Sequence, residues 1–223
     1  MPTRRTILHA LLGALLAMLV LAAIGWWLAG LTPGWYRPVE QDNTPAMALG
    51  ETAEYRLVEE FQRIRPVDEV WRLRIPEAAI NAWLATRLRQ WLAGRGGDWP
   101  SELGSPQVRI TPAGITVGVS ADAIGGRVGL LTLTPNIADG RLSFATAAGL
   151  GSLPIDIPSQ YITPHLMAAA GTSDSLTFLA TILQGDSMSA AMPLVDYRHV
   201  HIHTITLEPG ACVIRASTRV DTN

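Results

Sequence analysis

The chain has 223 residues, seventeen basic and nineteen acidic side chains, and a formal net charge of −2 at pH 7. The basic residues are all Arg and are scattered along the sequence, which argues against nucleic acid as a partner. A chain of this length can bury one good core with a small addition, but it is too short for two ordinary domains plus a membrane anchor. The single cysteine, Cys212, excludes an internal disulfide.

Residues 7–31 form an apolar run that contains no arginine and no acidic residue, and it is longer than the roughly 20 residues that a helix needs to cross a bilayer. Two arginines precede the run, and acidic residues follow only from Glu40. The positive-inside tendency therefore predicts a cytoplasmic N-terminus, residues 1–6, and places everything after residue 31 outside the cell membrane.

The alternative for this run is a cleaved signal peptide, whose apolar region usually has about 7–15 residues. Here the run is longer, and the best cleavage site is followed directly by Trp26 and Trp27. These features favour an uncleaved transmembrane helix over 7–31, in a single-pass protein of a bacterial inner membrane with an extracytoplasmic, periplasmic domain.

Residues 32–45 contain three prolines and are expected to form a linker at the membrane surface. Thr44 as N-cap and Pro45 as first helical residue then predict an amphipathic helix over 46–65. Its charged side chains are most simply a solvated face. The alternative is a docking surface for a neighbouring membrane protein.

The domain over residues 66–223 opens with a strand that leads into a helix. Trp71, Leu73 and Ile75 alternate with polar residues, as in a strand with one buried face. At Pro76 the period changes, because proline fits the first turn of a helix and the following glutamate suits its positive end. One stripe of this helix carries Ile80, Trp83, Leu84, Leu88 and Trp91.

Residues 107–148 predict three or four strands joined by tight turns, with Asp139-Gly140 as the strongest hairpin signal. Such a meander is antiparallel. The strand that begins at Arg127 has apolar residues of both parities, so it is either bulged or covered on both sides.

The remaining sequence predicts helical pieces from Thr163 to about Ala170 and from Leu176 to about Gly185. The stretches 171–175 and 186–192 are interpreted as mobile, and they are either ordinary surface loops or a lid or contact segment. A hairpin runs from His199 to the C-terminal region. The predicted fold class is α+β, with a single N-terminal transmembrane helix followed by a curved antiparallel sheet packed against a long amphipathic helix.

The sequence offers little catalytic chemistry. It has no nucleophile elbow, phosphate loop or dinucleotide fingerprint. Cys212 lies in an alternating strand and is interpreted as a small buried hydrophobe. Weak metal candidates are His199, His201 and His203, of which two can converge on zinc from one strand face; a polar sheet face is the simpler interpretation. We expect no catalytic residue, no cofactor and no enzymatic activity.

The strand-to-helix element at 75–84, the meander with Asp139-Gly140, and the run Gly151-Ser-Leu-Pro-Ile resemble bacterial envelope proteins of the tubular lipid-binding (TULIP-like) kind. YpmS-like and LmeA-like proteins are the nearest types. The resemblance covers roughly residues 70–220 and implies an apolar groove between a long helix and a curved sheet, although the same residues can instead fill a dry core. The groove candidates are Ile80, Trp83, Leu84, Leu88, Ile115, Val117, Val119, Leu131, Leu133, Leu142 and Phe144.

These observations predict a membrane-anchored, extracytoplasmic protein of the cell envelope that binds or handles lipid without catalysis. The expected partners are the membrane, a lipid and another envelope or membrane protein. The alternative function is an accessory or scaffold subunit of a larger membrane complex, without a ligand.

Overall fold

The computed structural model describes residues 4–66, 68–94, 97–153, 157–158, 186–194 and 196–220. Within these ranges the helices are α1 (Arg4–Gly30), α2 (Thr44–Gln62), α3 (Glu77–Thr86) and α4 (Leu88–Ala93). The strands form two antiparallel sheets, so the predicted α+β class is confirmed. The helical pieces expected after Thr163 and Leu176, and the stretch 171–175 between them, lie outside the described residues.

Within the described residues sheet A contains four strands and sheet B six, with strands numbered in chain order. The order in sheet A is β1 (Val70–Pro76), β10 (Ala211–Val220), β9 (Arg198–Glu208) and β8 (Ala191–Pro193). The order in sheet B is β2 (Gln107–Thr111), β3 (Gly114–Ala121), β4 (Arg127–Ala138), β5 (Arg141–Leu150) and β6 (Ile157–Pro158). A further short strand, β7 (Met188–Ser189), also pairs with β5.

Residues 188–193 join the two sheets. Here β7 pairs with β5 of sheet B, and β8 pairs with β9 of sheet A. Between these strands, the Ala190 amide donates to the Gly140 carbonyl, and the Ala190 carbonyl accepts from the Ile202 amide, both at 2.9 Å. The interpretation of this segment as an ordinary surface loop is therefore wrong over residues 188–192, because ladder hydrogen bonds hold these residues between the sheets.

Strands β2 to β5 form the predicted meander, and all their pairings are antiparallel. The first half of strand β4, residues 127–133, is covered on both sides, whereas Thr134, Asn136 and Ala138 are exposed. Leu131 and Leu133 lie opposite Val117 and Ile115 of β3 and face the inside of the fold. Val128, with 2% of its surface exposed, faces the other side, as do all even-numbered residues of the strand.

The free edge of β2 is closed by the first turns of α3. Asn81 accepts a hydrogen bond from the Val108 amide (2.6 Å) and donates one to the Val108 carbonyl (2.8 Å). One turn earlier, Glu77 accepts from the Ile110 amide (2.6 Å), and the Ile110 carbonyl accepts from the Gly210 amide (3.0 Å). All four outward backbone groups of these two strand residues are thus satisfied, which blocks edge-to-edge pairing there.

One hydrophobic core lies where both sheets meet α3. Its buried members are Val108, Ile110 and Cys212, and the partly buried side chains packed on them are Ile80, Leu84, Ile115, Val117, Ile205, Leu207 and Ile214. Since these residues come from α3, two strands of sheet B and two strands of sheet A, burying their apolar surface stabilises the whole arrangement at once.

A second cluster lies on β1, where Trp71 and Leu73 are buried and the intervening arginines are exposed. This alternation confirms the predicted strand. Val200 and Ala216 complete the cluster, and Phe61 from the end of α2 packs against it. The ring of Phe61 meets that of Trp71 edge to face at 5.8 Å between centroids, a favourable arrangement of aromatic quadrupoles.

Helix α2 packs on α3 through small residues, with Ala46 and Gly50 buried and Gly50 placed directly against Ala82 and Thr86. The predicted N-cap is wrong by one residue: Asn43, not Thr44, accepts from the Ala46 amide at 3.0 Å. Asparagine caps at least as well as threonine.

The helix expected to continue through Trp91 is interrupted at Arg87, which separates α3 from α4. Arg87 has a φ of −116°, wider than in a regular helix, and its guanidinium pairs with Glu54 of α2 at 3.1 Å. The apolar stripe therefore belongs to two short helices instead of one long one.

Among the described side chains, which in α1 begin at residue 14, no helix is long and apolar enough to cross a membrane.

Replacing Asn81 with leucine leaves the amide and carbonyl of Val108 without their partners inside the fold. We expect Asn81→Leu to lower the free energy of unfolding by about 2–4 kcal/mol, since each unsatisfied buried group costs about 1–3 kcal/mol. Denaturant unfolding of the detergent-solubilised chain measures the change. The control is Gln90→Leu on exposed α4, and equal midpoints for the two variants would contradict the role of Asn81.

Candidate functional site

The apolar side chains on the inner face of the β4–β5 hairpin are the best placed of the predicted groove residues. In the ladder, Leu131 and Leu133 lie opposite Ala148 and Thr146, while Phe144 and Leu142 lie opposite Pro135 and Ile137. Residues opposite one another share a face. The four candidates are half-buried, and neither hydrophobic cluster includes them. We name Leu131, Leu133, Leu142 and Phe144 the hairpin face.

Four other candidates lie in the packed core, because Ile80 and Leu84 of α3 and Ile115 and Val117 of β3 all pack on its buried members. The hairpin face is continuous with this core, since Leu131 and Leu133 pair directly with Val117 and Ile115. The core thus occupies one end of the inner face of sheet B.

The last three candidates lie outside these two groups. Trp83 packs edge to face on Trp91, with 6.0 Å between ring centroids, and Leu88 is half-buried at the start of α4. Val119 is half-buried on β3 and pairs with Gly129. The structure brings none of these three into either cluster.

A cavity of about 520 Å³ opens elsewhere, between residues 34–35, β2 and the β9–β10 turn. Glu77 and Arg109 are the charged residues of its lining. No residue of the hairpin face lines this cavity, so it is separate from the predicted groove.

The segment between α1 and α2 lies on the outer face of sheet B. Tyr36 is 7% exposed, and its hydroxyl donates to the Ser105 carbonyl (2.8 Å) and accepts from the Ser120 amide (3.1 Å). A Cβ on Gly118 would lie 2.9 Å from the Trp35 ring and 3.0 Å from the Tyr36 ring, so the rings need glycine at this position. The predicted linker has no regular structure, but it is docked.

The end of α1 is also fixed to sheet B. The Ser152 amide donates to the Leu28 carbonyl at 3.1 Å, and the Ser152 hydroxyl donates to the Leu31 carbonyl at 3.4 Å. The Leu28 carbonyl also accepts from the Leu31 amide at 3.1 Å, so the Ser152 amide adds a second hydrogen bond to it at the end of the helix. Gly151 has φ +58°, and a Cβ there would lie 2.9 Å from the Leu31 carbonyl oxygen. Only glycine combines this conformation with this approach.

Sequence reasoning missed this junction of α1, residues 31–36 and sheet B. One signal was available in the sequence. Val128 and Leu130 of β4 are apolar and point to the outer face, which therefore needed a cover. Gly118, which pairs with Leu130 on the neighbouring strand, has no side chain to provide one. The sequence pattern did not indicate which segment of the chain covers this face.

Helix α2 exposes five large apolar side chains: Met47, Leu49, Tyr55, Leu57 and Val58. At 100° per residue, Met47, Tyr55 and Val58 fall within roughly a quarter of the helix circumference. Large exposed apolar groups on one side of a helix are typical of a contact surface.

The three histidines of β9 do not form a metal site with other described residues. His199 and His201 pair with Arg219 and Ser217, and His203 lies at a register shift and hydrogen-bonds Ser217 at 2.9 Å. In the part of the chain that the structure describes, no three His, Cys, Asp or Glu side chains are grouped so that they could hold a metal ion.

Cys212 is buried in the core, and burial raises the pKa of its thiol. The thiolate is the reactive form, so we expect iodoacetamide at pH 8 to alkylate the folded chain far more slowly than the unfolded chain, as measured by mass.

The raised folded-state pKa of Cys212 adds stability below the ordinary thiol pKa of about 8.5, and this contribution is lost as the pH rises above it. Equal alkylation rates in both states would contradict the burial.

Comparison of the chain with protein family models, with curated proteins and with solved structures finds no match.

Proposed function

We propose that this chain is a membrane-anchored, extracytoplasmic envelope protein that binds or handles lipid without catalysis. In this proposal α1 is a single transmembrane helix with its N-terminus in the cytoplasm. The helices α3 and α4 and the curved sheets form the lipid-binding part, in the manner of the TULIP-like proteins that the sequence resembles.

The observation that carries the proposal is the hairpin face. Its leucines and Phe144 are half-buried, lie side by side on two paired strands, and belong to neither packed cluster. An apolar surface that continues from a core without being part of it is the kind of surface on which an acyl chain can lie, because burying hydrocarbon there removes it from water.

The anchor is supported by the apolar run over residues 7–31 and by the two exposed tryptophans that follow each other near its end. Tryptophan is enriched where a membrane-spanning segment meets the headgroup layer. Lipid that diffuses in the outer leaflet would then be within reach of the domain.

A second function, an accessory or scaffold subunit of a membrane complex, is favoured by the exposed apolar groups of α2. In that case Met47, Tyr55 and Val58 contact a partner protein, and the inner face of sheet B binds no ligand.

Photocrosslinking in intact membranes distinguishes the two functions. We expect a benzophenone residue at Phe144 to form an adduct with the mass of a lipid, because the hairpin face holds an acyl chain. The same residue at Ala145 is the matched control, since this exposed neighbour points to the opposite face. Mass spectrometry of the purified full chain identifies the adducts.

If Phe144 gives only crosslinks within the chain, or if Ala145 gives the lipid adduct equally, lipid binding on this face is wrong. The scaffold function predicts instead a protein adduct of one reproducible mass from Tyr55. Arg56 is its control, because it is exposed and about 100° further round α2.

A further inference from the structure

We infer that α1 and sheet B form one rigid unit, and that one end of sheet B, which we name the membrane rim, is seated in the lipid headgroup layer. The membrane rim consists of Trp26 and Trp27 of α1, Ile124 in the β3–β4 turn, Arg127 at the start of β4 and Leu153 after β5. The inference rests on the proposed insertion of α1, and it identifies the bilayer surface as the partner of this end of the domain.

The contacts between α1 and sheet B follow the helix back towards its N-terminus. The Gly151 backbone lies against the carbonyls of Ala29 and Leu31, and the next amide, of Ser152, bonds the Leu28 carbonyl. Leu153 then lies beside Gly25, its Cδ1 being 3.9 Å from where a Cβ there would be. Residues 151–153 therefore run alongside the last two turns of α1, in the direction of the proposed membrane.

The β3–β4 turn lies at this same end of sheet B. The Arg127 guanidinium stacks on the Trp26 ring, 3.8 Å from its centroid, and the Val128 carbonyl accepts from the Gly151 amide at 2.8 Å. The turn, Asp122 to Gly126, precedes Arg127 directly, so it lies at or beyond the level of Trp26. Ile124 at its tip is 38% exposed.

The chemistry of the membrane rim fits the headgroup layer. Trp26 and Trp27 are 68% and 63% exposed, and amphipathic rings favour that layer. Arg127, held on the Trp26 ring, can contact lipid phosphate at the same depth. The carboxylates of Asp122 and of Glu102, whose carbonyl accepts from the Asp122 amide at 3.0 Å, are both exposed. They limit the turn to a shallow position.

This position of the membrane rim sets the orientation of the hairpin face relative to the bilayer. Strand β4 has 12 residues and rises about 3.3 Å per residue, so its far end at Ala138 lies on the order of 36 Å from Arg127. The inner face of sheet B then begins at the membrane surface and leads away from it, so that lipid reaches the hairpin face without crossing open water.

Depth-dependent quenching in proteoliposomes tests the seating on the full chain. In a Cys212→Ala background, single cysteines are introduced as Leu19→Cys, Ile124→Cys and Ala138→Cys and labelled with an environment-sensitive fluorophore. The vesicles are phosphatidylcholine with a lipid that carries a spin label near its headgroup. We expect loss of most of the fluorescence at position 124, strong quenching by a deeper spin label at position 19, and no quenching at position 138.

The outcomes distinguish the seating of the membrane rim from the insertion of α1 in the membrane. Quenching at position 19 without quenching at 124 leaves the anchor in place and overturns the seating of the membrane rim. Absence of quenching at position 19 overturns both. Equal quenching at 124 and 138 overturns the upright orientation, because the domain would then lie on or tumble against the bilayer.

A junction variant tests the rigidity. Gly151→Ala places a methyl group against the end of α1, whereas Gly140→Ala carries a similar positive φ with nothing within 4 Å. We expect Gly151→Ala to reduce quenching at position 124 while quenching at 19 is unchanged, and Gly140→Ala to change neither. If the two variants behave alike, the contact between Gly151 and α1 does not set the orientation.

Discussion

The hydrogen bonds between Asn81, Glu77 and the edge of β2 are the contacts on which the rest of the arrangement depends. Side chains of a helix make these bonds to the outward backbone groups of a strand. Helix α3 therefore takes the place that a further strand of sheet B would occupy. Because α3 follows β1 directly, this substitution ties sheet A to sheet B through the backbone. The core of Val108, Ile110 and Cys212 forms between the two sheets and α3.

Sheet B has a second requirement, because its outer face is apolar at Val128 and Leu130 and must also be covered. The cover comes from the end of α1 and from Trp35 and Tyr36. The Tyr36 hydroxyl fixes its position by hydrogen-bonding Ser105, in the loop before β2, and Ser120 in β3. The segment after α1 is therefore part of the folded domain. A fragment that begins after Tyr36 lacks the hydroxyl that fixes this cover.

Most of the local structure could be predicted from the sequence, since strong periodic signals mark β1, the meander and the final hairpin. The strands at 188–193 could not, because they form only by pairing with both sheets. The candidate groove was predictable only as a set of apolar positions. Whether Ile115 fills a core and Leu142 lies outside it depends on how far each sheet extends past its partner, which no local pattern encodes.

The pairing of β1 with β10 has a consequence for the order of events during synthesis. Val70 lies opposite Ser217, so β1 acquires its strand neighbour in sheet A only after β10 has been synthesised. Loop closure over such a separation is slow compared with the formation of a local meander. During translation, the cluster around Trp71 therefore stays incomplete. Until β10 emerges, the unpaired strand β1 can bind chaperones or associate with other chains.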